Sequence, residues 1–161
     1  MAQTATSELV RMHEGREVPH PGAYELDRSH SAVEFVARHL MISKVRGRFA
    51  DFDGRFEVGE APEDSSVEVT VRTASVDTGD QARDDHLRSP DFFDAERFPT
   101  ITFRSTRVEA HESGRWDVHG ELTVRDVTKP VILAVDFDGA TRTPWGQDRV
   151  EIGRASCRER V

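Results

Sequence analysis

The chain has 161 residues, of which 36% are hydrophobic and 32% charged, the size and balance of one well-hydrated domain. A formal charge of −8 with no Lys/Arg stripe argues against a nucleic-acid partner, and no stretch approaches the roughly 18 apolar residues of a membrane-spanning helix. One cysteine, Cys157, excludes an internal disulfide, and no Cys/His spacing suits zinc.

In chain order, residues 1–21 are polar, show no periodicity and end in Pro19 and Pro21. They predict a flexible leader. They lack the basic start and apolar run of secretion signals, so a cytoplasmic location is expected. From Tyr24 the pattern becomes period two, the mark of strands with one buried face. Val33, Phe35 and Ala37 share a face against Glu34, Val36 and Arg38. Val45, Gly47 and Phe49 are in phase, as are Phe52, Gly54, Phe56 and Val58, and the slip between Phe49 and Phe52 calls for a bulge or bend. A turn at Pro62–Asp64 leads to Val67, Val69 and Val71.

Asp80 to Ser89 (DQARDDHLRS) drops the alternation and predicts one short helix ended by Pro90. An aromatic-rich connection, DFFDAERFPT, follows. Ile101 and Phe103 share a face, as do Trp116, Val118, Gly120, Leu122 and Val124, and then Val131, Leu133, Val135 and Phe137. The last two strands form a hairpin around 126–130. Many short strands with one helix predict an all-β fold, and closure as an antiparallel barrel removes exposed edges. Val67, Val69, Val71, Trp116, Val118, Leu122, Leu133 and Val135 are expected to point inward.

Several blocks carry a family likeness: YELDRSHSAVEF at 24–35, HL at 39–40, VRGRF at 45–49, RDDHLRS at 83–89, DFFD at 91–94, FPTITFRS at 98–105, GELTV at 120–124 and VTKPV at 127–131. Over residues 22–150 the chain resembles the YceI-like family. That resemblance implies a lipocalin-like antiparallel β-barrel, eight-stranded when complete. It further implies a cavity for a polyisoprenoid or similar long amphiphile, and no general catalytic activity. Such sequences commonly have glycine where Asp126 stands, and Asp is among the few residues that tolerate φ > 0 there.

Under that resemblance Phe35, Phe49, Phe103 and Trp116 are expected to line the cavity, with Phe92 and Phe93 closing the helix end. Without it, they are ordinary core aromatics. His86 and Arg88 are candidate donors to a ligand head group at the barrel mouth, since the planar guanidinium suits a phosphate; the plain alternative is a surface Asp85–Arg88 pair. His30 joins them as a mouth residue. A catalytic rival would use His30, His39 or His86 as base, but no HExxH or similar spacing supports metal or acid/base chemistry. Ser31 cannot easily meet His30, because neighbours on a strand face opposite ways.

The expected function is therefore non-catalytic carriage or sequestration of a long-chain isoprenoid, with no cofactor or metal and homodimerisation left open. The alternatives are a small lipid-modifying enzyme and a packed-barrel interaction module. Residues 151–161 are expected to be a non-native tail. IGRASCRERV looks like a translated sequencing adapter joined to a shortened frame, which would leave the barrel without its last strands.

Overall fold

β-branched and aromatic residues at alternate positions suit a pleated, half-buried surface, and most of those stretches form strands. The computed structural model describes residues 9–39, 43–111 and 114–157. Its strands are β1 (Val10–His13), β2 (Arg16–Pro19), β3 (Gly22–Glu25), β4 (Val33–His39), β5 (Ser43–Phe49), β6 (Phe52–Val58), β7 (Ser66–Arg72), β8 (Val76–Asp77), β9 (Thr100–Ala110), β10 (Trp116–Val124), β11 (Val127–Arg142) and β12 (Asp148–Cys157). One helix, α1 (Gln81–Arg88), separates β8 from β9.

Seven strands make one antiparallel sheet in the order β12-β11-β10-β9-β7-β6-β3, and β4-β5-β8 form a second sheet. The large sheet curls into a half-barrel whose edges are β12 and β3. All eight residues expected to point inward do so: Val71, Trp116 and Val118 are buried, and Val67, Val69, Leu122, Leu133 and Val135 pack partly buried against them.

The slip between Phe49 and Phe52 marks a change of sheet. β5 belongs to the small sheet and β6 to the large one. The corner is tied by Ala50 N–H to the Ser75 carbonyl at 3.1 Å and by Arg72 N–H to the Asp51 carbonyl at 2.9 Å. The bend lets Phe49 and Phe52 bury in the same core despite their opposite phase.

Three features differ from the sequence reading. Residues 10–19, expected to be part of a flexible leader, form the β1–β2 hairpin. Its turn residues Glu14 (φ 48°) and Gly15 (φ 78°) are both left-handed, the conformation of a tight type I′ connection. Val18, only 1% exposed, packs with Phe103, Val108, Trp116, Val118 and Val131. Strands of four residues are too short to show a period.

In the β10–β11 hairpin, Val124 pairs directly with Val127. The loop is therefore Arg125–Asp126 alone, and the left-handed residue is Arg125 (φ 56°), not Asp126. Finally, β12 carries the chain beyond Val150 to Cys157, so residues 151–157 pair with β11 along the sheet edge. Two register shifts, around Phe137, interrupt that pairing and erase the alternation a sequence pattern needs.

Candidate functional site

Two apolar clusters combine inward residues of the half-barrel with residues of the small sheet, the hairpin and the helix end. One gathers Phe49, Phe52, Val71, Val76 and Ile101, with Phe35, Leu87 and Phe93 packed against it; the other is the Val18–Phe103–Trp116 cluster. Val69 and Leu122 pack against both. Through these shared, only partly buried members the two clusters join into one apolar track.

At the helix end the track closes in a triangle of rings. Phe35 and Phe49 have centroids 5.4 Å apart, Phe49 and Phe93 5.9 Å, and Phe35 and Phe93 6.3 Å with their planes near perpendicular, favoured aromatic geometry. At the other end the Arg16 guanidinium sits 5.6 Å from the Trp116 ring centroid and donates to the His111 carbonyl, an arrangement suited to cation–π attraction.

Two glycines let aromatic rings lie against the sheet. A Cβ on Gly47 would fall 2.4 Å from Phe35 Cζ, and one on Gly120 would fall 2.5 Å from Phe103 Cζ. Both rings thus occupy space that a side chain at the glycine would take. Among the expected lining residues, Phe35, Phe49 and Phe93 are brought together, while Phe103 and Trp116 belong to the other end of the track. Phe92, 43% exposed, lies outside both clusters and stands edge-on to His86 at 4.8 Å.

Helix α1 is positioned by buried polar contacts. Asp80 caps it by accepting from Arg83 N–H at 3.0 Å, as N-cap aspartates do. Buried Asp84 accepts from Thr78 N–H at 2.8 Å and from the Thr78 hydroxyl at 2.6 Å. Arg88 donates to the carbonyls of Ala74 (2.8 Å) and Val76 (3.1 Å) and to Asp85 (3.1 Å). The two carbonyl bonds fasten the helix to residues 74–76, so Arg88 makes structural contacts beyond the simple surface pair. His86 is exposed, with Asp91 at 3.4 Å.

The histidines have separate surroundings. His30 lies in an exposed turn where its Nδ1 is 3.0 Å from Asp27 Oδ2 and 2.9 Å from Ser29 Oγ, and the Ser29 hydroxyl donates to Asp27 at 2.6 Å. Serine, histidine and aspartate therefore meet, but both partners crowd one ring nitrogen. A relay needs the acid on one nitrogen and the nucleophile on the other, so this is a turn-stabilising network. The side chain of His39 lies outside the described residues.

Sequence reasoning missed Val18 and Arg16, which cover the Trp116 end, and missed the bridging role of Val69 and Leu122. Neither has a local signal; both depend on which strands become neighbours. Among the described residues, no helix is long and apolar enough to cross a membrane.

Residues 24–157 match the YceI-like domain. The chain belongs to the YceI-like family. It is 45% identical over 126 residues to a UPF0312 protein of Ectopseudomonas mendocina, covering 76% of this chain and 66% of that one; it thus spans about two thirds of that relative's length. A YceI protein structure from Campylobacter jejuni superposes with a TM-score of 0.62 at 32% identity, over 80% of this chain and 76% of that one. A polyisoprenoid binding domain from Saccharophagus degradans shares the fold at a TM-score of 0.52 and 19% identity, over 73% and 68% of the two chains.

Proposed function

We propose that this YceI-like chain binds a long-chain isoprenoid or comparable amphiphilic lipid along its inner face and carries or sequesters it without chemical change. The observation that carries this reading is the unbroken apolar track from Trp116 through Leu122 and Val69 to the Phe35–Phe49–Phe93 triangle. An extended hydrocarbon needs a long apolar surface with few polar partners. Burial releases roughly 25 cal/mol per Å² of apolar area, opposed by the cost of ordering the chain. The printed description of the Saccharophagus degradans domain, polyisoprenoid binding, agrees in chemistry.

The test is titration of the purified chain with a fluorescent prenyl analogue, alongside native mass spectrometry of what co-purifies. Leu122→Trp, which fills the middle of the track, and Phe103→Asp, which charges it, should each weaken binding about tenfold or more, equivalent to about 1.4 kcal/mol. A bound lipid should leave with unchanged mass. No binding by the wild type, or full affinity in both variants, would overturn the reading.

A further inference from the structure

At the far end of the β1–β2 hairpin, side chains from two distant stretches of sequence converge. His13 closes β1, Glu14 begins the turn, and Glu63 sits in the short 3-10 turn Pro62–Asp64 between β6 and β7. His13 Nε2 is 3.9 Å from Glu63 Oε2. One ligating atom from each of His13, Glu14 and Glu63 lies within 4.8 Å of the other two. Among the described residues, no other group of three His, Cys, Asp or Glu side chains converges in this way.

We propose that His13, Glu14 and Glu63 bind one divalent transition-metal ion of the zinc class, clamping the N-terminal hairpin to the Pro62–Asp64 turn. Donors about 2.0–2.2 Å from a tetrahedral ion stand about 3.4 Å from one another, so small side-chain rotations close the observed spacing. The imidazole distinguishes this group from an acidic surface patch. Calcium and magnesium take oxygen donors, whereas a nitrogen with two carboxylates suits zinc and its neighbours. Three protein donors leave one tetrahedral position for water.

The approach of the two segments is held by contacts that need no ion. Arg11, on the hairpin, donates to the Gly59 carbonyl at 2.9 Å. Gly59 N–H in turn bonds Ser65 Oγ at 3.1 Å, and Ser65 N–H bonds the Pro62 carbonyl at 3.1 Å. Pro62 is buried, and the turn packs against β9. The His13 side chain is only 27% exposed, so its ring is held against the protein rather than swinging in solvent. Pre-positioning of this kind lowers the entropic cost of gathering the ligands. The clamp is independent of lipid binding, although the hairpin it secures also places Val18 over the Trp116 end of the track.

The experiment uses the full chain, stripped with a chelator and titrated with Zn²⁺ against a competing indicator, with melting temperature followed in parallel. The wild type should bind one ion saturably and melt at a higher temperature with it, and Mg²⁺ should substitute in neither respect. His13→Ala and the isosteric Glu63→Gln should each weaken Zn²⁺ by about tenfold or more and abolish the melting shift. His86→Ala, removing an exposed histidine elsewhere, should leave Zn²⁺ affinity and the Zn²⁺-induced melting shift as in the wild type. Absence of a saturable site in the wild type would overturn the proposal, as would a site that persists in both His13→Ala and Glu63→Gln.

Discussion

Arg149 on β12 reaches Asp27, just beyond β3, with its guanidinium nitrogen 3.1 Å from the carboxylate. These are the two edge strands of the large sheet, and Asp148 also acts on the Tyr24 phenol of β3, whose pKa is raised chiefly by burial and secondarily by that charge. The half-barrel is thus drawn together at one end by side chains, where a closed barrel would use a backbone ladder.

Asp27 should titrate unusually low. The Ser29 hydroxyl bond is the largest influence, with the Ser29 N–H, His30 and Arg149 adding to it, and the carboxyl is held at about 2. Because the folded value lies below the ordinary 3.8, the linked stabilisation is full above that range and is lost as pH falls toward about 2. Carboxyl chemical shifts followed by NMR should show this midpoint. Ser29→Ala should raise it more than Arg149→Ala does; an ordinary midpoint in the wild type would contradict the hydrogen-bond assignment.

Gly120→Ala should destabilise the fold. The added methyl would meet both the Phe103 ring and the Arg104 carbonyl, the latter at 2.6 Å, and backbone cannot swing aside as a flexible side chain can. Overpacking of this sort costs about 1–3 kcal/mol. Urea denaturation monitored by circular dichroism measures it, and a loss within error would mean that the strand adjusts freely at the register shift between His119 and Gly120, where β10 pairs with β9.

The aromatics Phe49 and Phe92 should behave oppositely. Phe49 is 6% exposed and touches both other rings of the triangle, whereas Phe92 is 43% exposed. Truncating a buried phenylalanine to alanine costs about 3–5 kcal/mol, and surface changes usually stay within about 0.5 kcal/mol. Paired unfolding curves of Phe49→Ala and Phe92→Ala would decide; similar losses would place Phe92 in the core after all.

Asp84→Ala should loosen helix α1 more than Asp80→Ala does. Loss of Asp84 strands the Thr78 N–H beside a largely buried site, a cost of about 1–3 kcal/mol, while loss of the Asp80 cap costs about 1 kcal/mol. Amide exchange across residues 81–88 is the readout, and equal protection in the two variants would count against the difference.

Much of this architecture was legible because inward and outward residues alternate. The Val67–Val71, Trp116–Val124 and Val131–Val135 runs each announce a face, and the helix within 80–89 follows from the lost alternation and the Pro90 stop. What stayed hidden depends on partners remote in sequence. Val18 looks like a lone valine among charges until Trp116 and Phe103 arrive from β10 and β9. Arg88 shows no sign in the sequence of its bonds to the Ala74 and Val76 carbonyls. His13 and Glu63 are fifty residues apart and share no motif. Around Phe137, register shifts break the rule that makes strands readable at all.

The order of strands also carries information about time. β9, β10, β11 and β12 are neighbours both in the chain and in the sheet, so each pairing closes only a short loop. β7 meets β9 across the whole of helix α1, and β3 meets β6 only after the chain has made its excursion through β4 and β5. Loop closure grows costlier with separation, and local pairings form faster. The four-strand meander is therefore expected to gain amide protection first in a pulse-labelled refolding experiment. The β3 edge, with its link to Arg149, should come last.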